Sequence, residues 1–309
     1  MEGTNYLLDD FIVALNDFGE IKLQESLKKY TTFKTGGPAE ILIFPYNRSS
    51  LLKIIIQTKR EGVPFTVIGG GSNLLVSDRG LSGVVVCLNN NSFREKSIYV
   101  NEDGTLYADA VFSKKDFIDF ALERSYGGFE FMVGIPGSLG GGIAMNAGTN
   151  EGSFDDILDR IDIINSDFLF QTIKNRKGLF SYRGFNLDFN IILGAFFKLE
   201  RINSSKDLKS KVKEIILDRE KKHPLNFPSA GSVFKNPDGY SSWRLIEEAG
   251  LKGFRLGGAM ISEKHTNFII NYDQATSLDI KNLITEVQDK VMQKFNIFLE
   301  PELKILGEF

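Results

Sequence analysis

The sequence predicts an α+β protein of two or three lobes. Three observations carry this. The chain has 309 residues, near the practical limit of a single hydrophobic core. Strand-like apolar runs and helical stripes follow one another irregularly, without the regular alternation of a doubly wound sheet. Its 30 glycines exceed the roughly 7% average and concentrate in two clusters.

Composition bounds the function before any motif is read. Hydrophobic residues make up 42% and charged residues 25% of the chain, enough apolar mass to offset the entropy of ordering. A net charge of -3 argues against a nucleic-acid role resting on bulk positive charge. The single cysteine, Cys87, excludes an internal disulfide and a thiolate zinc site, and no metal is expected. It lies in Val84-Val85-Val86-Cys87-Leu88, where it reads as a small buried hydrophobe. The acidic start Met1-Glu2-Gly3-Thr4 lacks a secretory pattern. The longest uncharged run, 131–150, holds six glycines and Pro136 and would make a poor membrane helix. A cytoplasmic monomer without membrane insertion is expected.

Taken in order, residues 1–27 read as an N-terminal helical segment and 41–44 as a strand. Ser49-Ser50 precedes a helical run from Leu51 to Ile56, with Gly62 as its stop. Strands are expected at 65–68 and 84–88. Ser113 with Asp116 resembles a capping box ahead of Phe117, Phe120 and Ala121, and Gly127-Gly128 reads as the stop. Strands at 161–165 and 191–199 follow. Leu208, Val212, Ile215 and Arg219 line one face of a charged helix, and the main domain boundary falls just before it, near residue 200. Ser241-Ser242 opens a short helix that Gly250 closes. After a strand at 267–270, the stripe Ile280, Leu283, Ile284, Val287, Val291, Phe295 reads as a core-facing helix. In a last strand, 297–305, Glu300, Glu302 and Lys304 share one face, which is either a cleft or solvent.

Six glycines fall between Gly62 and Gly83 and eight between Gly127 and Gly148. The first cluster runs Val67-Ile68-Gly69-Gly70-Gly71-Ser72-Asn73, a turn after a strand whose N–H groups can converge on a phosphate. Neither cluster has the Gly-x-Gly-x-x-Gly spacing of a dinucleotide fingerprint, nor the Lys-Ser/Thr of a P-loop. Tight turns in an irregular fold account for the first cluster, taken alone, better than a ligand does. In the second, six glycines in the fifteen residues 134–148 weaken any ordinary element and favour a cradle for a ligand.

These segments, together with Tyr30-Thr31-Thr32-Phe33-Lys34-Thr35-Gly36-Gly37, Tyr182-Arg183, Gly231-Ser232-Val233-Phe234-Lys235-Asn236-Pro237 and Glu302-Leu303-Lys304-Ile305-Leu306-Gly307, resemble the UDP-N-acetylenolpyruvoylglucosamine reductases. That flavoenzyme family makes UDP-N-acetylmuramate for peptidoglycan. The resemblance covers about residues 28–309, in order. It implies an FAD-binding region of two α+β subdomains, of the vanillyl-alcohol-oxidase type, over 28–200, and an α+β substrate-binding domain over 201–309. It implies non-covalent FAD, because the histidines His223 and His265 both lie in the last third. NADPH is implied as hydride donor, and a UDP-sugar carrying an enolpyruvyl ether as substrate.

By the same resemblance, Ser232 donates a proton to the enolate, Arg183 meets the substrate carboxylate, and Glu302 is the active-site glutamate. FAD is assigned to Thr35, Gly36, Gly69, Gly70, Gly71, Ser72, Asn73, Gly134, Ile135, Pro136, Gly137, Ser138, Gly140, Gly141, Asn146, Ala147 and Gly148. Substrate is assigned to Tyr182, Lys222, Asn236 and Lys304. The chain departs from the family pattern at Gly184-Phe185, at Thr149-Asn150, and at Lys304, where the family often has arginine. No tyrosine falls between Tyr182 and Tyr240, which resembles the compact branch lacking a tyrosine-bearing loop.

On the residues alone, Ser232 reads as a loop serine capping backbone and Arg183 as a surface group, while Lys264 and His265 read equally as cleft or surface groups. Two other functions also stay open. One is a flavin oxidase of the same fold acting on an alcohol or lactone; the other is a catalytically silent nucleotide-binding scaffold.

Overall fold

The computed structural model describes residues 3–187 and 190–309. Two compact units emerge, each assembled from separate stretches of chain. The first takes the chain up to Gln24, Glu40–Gly70 and Ser82–Ile215; the second takes Glu25–Ala39, Gly71–Leu81 and Ile216–Phe309.

The first unit holds two large sheets. A four-stranded sheet has the order Gly19–Ser26, Pro38–Pro45, Leu81–Cys87, Phe65–Ile68, the last two strands parallel. Helix Arg48–Arg60 buries Leu51, Ile54 and Ile55 in a core shared with Ile41, Ile43, Val84 and Val86. A five-stranded antiparallel sheet has the order Phe170–Lys174, Leu158–Ile164, Ile191–Phe197, Leu106–Asp109, Ile98–Val100. Its apolar face contributes Leu106, Ala108, Ile161, Ala195 and Phe197 to a second core, completed by Phe117, Phe129, Leu139 and Phe154.

The second unit has a three-stranded antiparallel sheet, Arg255–Leu256, Ala259–Ile261 and Ile269–Asn271, and a parallel pair, Leu74–Val76 with Lys304–Leu306. Helix Ser277–Phe295 turns the expected stripe inward. Ile280, Leu283, Ile284, Val287 and Val291 meet Phe33, Leu75, Phe234, Ile246 and Leu299 in one core.

Four expectations need correction. The N-terminal helix, Gly3–Asn16, ends early, and Gly19–Ser26 is a strand whose alternating Ile21 and Leu23 follow a period of two; Met1 and Glu2 lie outside the described residues. The cap of helix Arg48–Arg60 is Asn47, whose side chain accepts from Ser50 N, so the two serines lie inside the first turn. The stretch 297–303 is not a regular strand. Only Lys304–Leu306 joins a ladder, and Pro301, which has no N–H to give, makes an isolated bridge with Phe234.

The fourth correction concerns the glycine segment. It contains an α-helix, Leu139–Ala144, capped by Ser138, whose side chain accepts from Gly141 N. Packing overrides propensity here. A Cβ on Gly142 would lie 2.5 Å from the Phe154 ring, so only glycine lets this helix approach its neighbour. Among the described residues, no helix is long and apolar enough to cross a membrane.

Candidate active site

The candidate residues divide between the units. In the first unit, strand Phe65–Ile68 delivers Gly69 and Gly70 against the start of the helix Leu139–Ala144. A Cβ on Gly70 would lie 2.6 Å from Gly137 Cα, so the two glycine-rich loops touch backbone to backbone. Ser138 joins them, its hydroxyl oxygen accepting from Gly70 N at 3.2 Å and Gly141 N at 3.3 Å. Gly134, Pro136, Gly141 and Ala144 are exposed, which leaves a surface almost without side chains. No ionisable residue occurs in 134–148 or 69–73, so any anion held there meets neutral donors.

Arg183 belongs to the same unit. It occupies the turn of the hairpin Phe180–Ser181/Gly184–Phe185, with φ of 57°, a left-handed conformation that disfavours a side chain. Its guanidinium donates to Gly148 O at 2.8 Å and more loosely to Asn146 O at 3.5 Å, beneath the end of the glycine segment. Tyr182 beside it is exposed. Ala147 O accepts from Phe154 N, and Gly148 pairs with Ser153.

In the second unit, Ser232 and Glu302 are brought together through backbone. Glu302 N donates to Val233 O at 2.7 Å, and Lys235 N donates to Glu300 O at 2.9 Å. Asn267, buried and unanticipated from sequence, clamps the Ser232 loop: its Oδ1 accepts from Phe234 N at 2.9 Å and its Nδ2 donates to Phe234 O at 2.8 Å. The only sequence signal for it was its place at the start of the expected strand 267–270, two residues after His265. Asn73 Nδ2 donates to Glu302 O at 3.0 Å, and Lys304 N returns a bond to Asn73 O at 3.0 Å, tying the first glycine loop to the glutamate segment. Gly71, with φ of 63°, passes so close to Tyr30 O that a Cβ there would lie 1.7 Å away. Gly36 is likewise in a left-handed conformation, and the buried Thr35 Oγ1 finds no hydrogen-bond partner among the described residues.

The substrate candidates are more dispersed. Lys222 forms an exposed i,i+4 pair with Asp218 at 2.7 Å, and Lys304 is exposed. Asn236 Oδ1 accepts from Ser242 N at 3.0 Å, which supports the start of helix Ser242–Glu248. His223 and His265 stack at 5.5 Å and pack on Phe268. His265 Nδ1 accepts from Asn267 N at 3.3 Å, so its neutral ring carries the proton on Nε2. Burial, then the charge of Arg219, pushes His223 down to about 4, and burial lowers His265. Both rings are neutral at pH 7. Lys264 Nζ donates to Glu220 O at 3.1 Å.

The fold and these loops define the class as FAD-dependent oxidoreductases, and residues 39–167 match the FAD binding domain model. Residues 223–306 match the model described as the C-terminal domain of UDP-N-acetylenolpyruvoylglucosamine reductase. The enzyme of that name from Caldanaerobacter subterraneus subsp. tengcongensis is 42% identical over 304 residues, covering 98% of this chain and 99% of that one. Its namesake from Rickettsia bellii is 40% identical over 291 residues, 94% of this chain and 95% of its own. The crystal structure of the Thermus caldophilus reductase superposes with a TM-score of 0.77 at 31% identity, covering 94% of this chain and 99% of that chain. The chain belongs to the UDP-N-acetylenolpyruvoylglucosamine reductase family, which acts in peptidoglycan precursor synthesis. The α+β fold with an FAD-binding region is thereby borne out.

The residues present fit an FAD group. A Cβ on Gly141 would meet only Ser138 Oγ, at 3.3 Å, so the bareness of that helix face is not demanded by the chain's own packing. A flat ring or a pyrophosphate uses such a face.

Proposed function

We propose that the chain reduces the enolpyruvyl double bond of a UDP-N-acetylglucosamine enolpyruvyl ether to the lactyl ether, with NADPH as the source of hydride. The observation that carries this reading is the hydrogen-bonded pairing of the Ser232 and Glu302 segments in a chain similar over nearly its whole length to reductases of that name. Bound FAD supplies the two-electron relay between nicotinamide and alkene.

In the first unit, Gly69, Gly70, Gly134, Ile135, Pro136, Gly137, Ser138, Gly140, Gly141, Ala147 and Gly148 would hold FAD through backbone. The resemblance also assigns Thr35, Gly36, Gly71, Ser72 and Asn73 to FAD. Residues 28–200 then serve mainly the flavin and 201–309 mainly the substrate.

The chemical difficulty is charge. Hydride added to the terminal alkene carbon drives the π electrons toward the carboxylate, and the resulting enolate needs a cation and a proton. Arg183 offers a planar fork for both carboxylate and enolate oxygens. Ser232 Oγ gives its proton to the carbon bearing the ether oxygen, completing the addition of one hydride and one proton. A serine hydroxyl is a weak acid, but the enolate is a strong base, and placement compensates. Glu302, on the segment paired with Val233, is the carboxylate assigned to this centre. Tyr182, Lys222, Asn236 and Lys304 are left to the UDP-sugar. We infer a cytoplasmic monomer, checked by gel filtration at enzyme concentrations used for assay.

The test is anaerobic rapid mixing with NADPH and then the enolpyruvyl substrate, following flavin absorbance. Ser232→Ala should leave flavin bleaching by NADPH near the wild-type rate while slowing recovery of colour at least about 10²-fold. Equal slowing of both half-reactions would make Ser232 a structural residue. Oxygen uptake with an alcohol, in place of recovery with the enolpyruvyl ether, would favour the oxidase reading.

A further inference from the structure

The short helix Leu139–Ala144 stops at Met145 in a double-bonded turn. Asn146 N donates to Ile143 O at 2.9 Å and Ala147 N to Gly142 O at 2.8 Å, the pairing of a Schellman end. Asn146 therefore occupies the position after the cap and takes φ of 39°. Glycine fills such a position without steric cost, and this segment is otherwise rich in it. Asparagine tolerates it too, but the backbone alone gives no reason to prefer asparagine over glycine.

Its side chain supplies one. Asn146 is 7% exposed, and both ends of its amide are occupied by protein. Oδ1 accepts from Asp155 N at 3.0 Å, which anchors the residue to the helix Phe154–Ile157. Nδ2 donates to Ser181 O at 3.1 Å, two residues before Arg183 in the hairpin. The Asn146 carbonyl also faces Arg183 Nη1. One residue thus grips the hairpin by its backbone and the guanidinium by its tip.

We propose that Asn146 is a positioning residue for Arg183. Through the Ser181 carbonyl and its own, it fixes where the guanidinium lies and holds the hairpin turn in its left-handed conformation. The contacts with Ser181 and Asp155 replace the cofactor contact expected for this side chain. This inference rests on the assignment of Arg183 to the substrate carboxylate, and the experiment separates the two.

Asn146→Gly keeps the backbone conformation and removes both side-chain bonds. Asn146→Asp keeps the acceptor toward Asp155 N but sets a second acceptor against the Ser181 carbonyl, and it serves where the glycine variant folds poorly. For each, FAD affinity is titrated by fluorescence and both half-reactions are timed, alone and combined with Arg183→Ala. The expected result is FAD affinity and NADPH-driven bleaching within about threefold of wild type. Reoxidation by the enolpyruvyl substrate should slow at least about tenfold, toward the roughly hundredfold that misplacing a catalytic group costs. The double variant should be no slower than Arg183→Ala, because the asparagine acts only through the arginine.

Three results would overturn the proposal. Wild-type reoxidation in Asn146→Gly, with Arg183→Ala slow, removes the positioning role and leaves the arginine assignment standing. A double variant slowed by the product of the two single effects gives Asn146 an independent role. Normal reoxidation in Arg183→Ala defeats the arginine assignment itself, and the positioning role with it.

Discussion

At the scale of the residue, the candidate chemistry depends on side chains held in places their own preferences resist. Arg183 has the positive φ of a turn glycine, and its fork is directed by carbonyls of the glycine segment. Arg183→Lys keeps the charge but loses the planar, two-pronged geometry, so turnover should fall at least about tenfold with NADPH-driven flavin bleaching preserved. Near-normal steady-state rates in that variant would refute the role. Cys87 is the opposite case: fully buried in strand Leu81–Cys87, its thiol is pushed up to about 12 by desolvation. A thiol reagent at pH 8 should find no reactive group until the protein is unfolded. Burial of Cys87 was legible in its apolar neighbours. Ser232, Arg183 and Glu302 are assigned only through resemblance, because nothing in their local pattern marks chemistry. Asn267 and the work of Asn146 were not legible, since each depends on a partner distant in sequence.

At the scale of the element, local signals and packing compete. Ser113 was readable as a cap, and it does form a capping box: its hydroxyl oxygen accepts from Asp116 N at 3.0 Å, while Asp116 Oδ2 accepts from Ser113 N at 3.3 Å. Ser113→Ala should lower stability by about 1 kcal/mol in urea melts. The helix Leu139–Ala144 was unreadable because three consecutive glycines argue against a helix, and the fit of Gly140 against Ala110 and of Gly142 against Phe154 appears only in the fold. Gly142→Ala, favourable by propensity, should therefore destabilise, since about 1–3 kcal/mol of overpacking outweighs the propensity gain of ~1 kcal/mol. A raised melting temperature would contradict that. Residues 297–305 misled in another way. The alternation of charged with apolar residues suggested a strand, but a proline at 301 limits what the backbone can pair.

At the scale of the molecule, the histidine pair ties stability to pH. His223 has an ordinary value near 6.5 when unfolded and about 4 when folded, and His265 shifts in the same direction. Between those limits the unfolded chain binds protons that the folded chain refuses, so stability falls as pH drops from about 7 toward 4. His223→Gln should flatten the melting temperature against pH over that interval. An unchanged slope would mean that the pair is protonated without strain. The α+β class was legible from the apolar runs, but the interleaving of two units was not. A linear sequence suggests linear boundaries, and pairings such as Leu74–Val76 with Lys304–Leu306 leave no local trace.

That interleaving has a consequence for synthesis on the ribosome. Phe33 and Leu75 belong to the core that Ile246, Ile284 and Leu299 complete, and Asn271 Nδ2 reaches Phe33 O across 238 residues of sequence. The stretches Glu25–Ala39 and Gly71–Leu81 emerge early, yet their partners are among the last residues translated. They must wait with apolar side chains exposed while the intervening chain is made, a window in which chaperones would bind. A fragment beginning at Ile216 would lack those stretches and should remain unfolded by circular dichroism. Supplying residues 25–81 as a separate peptide is the way to restore it.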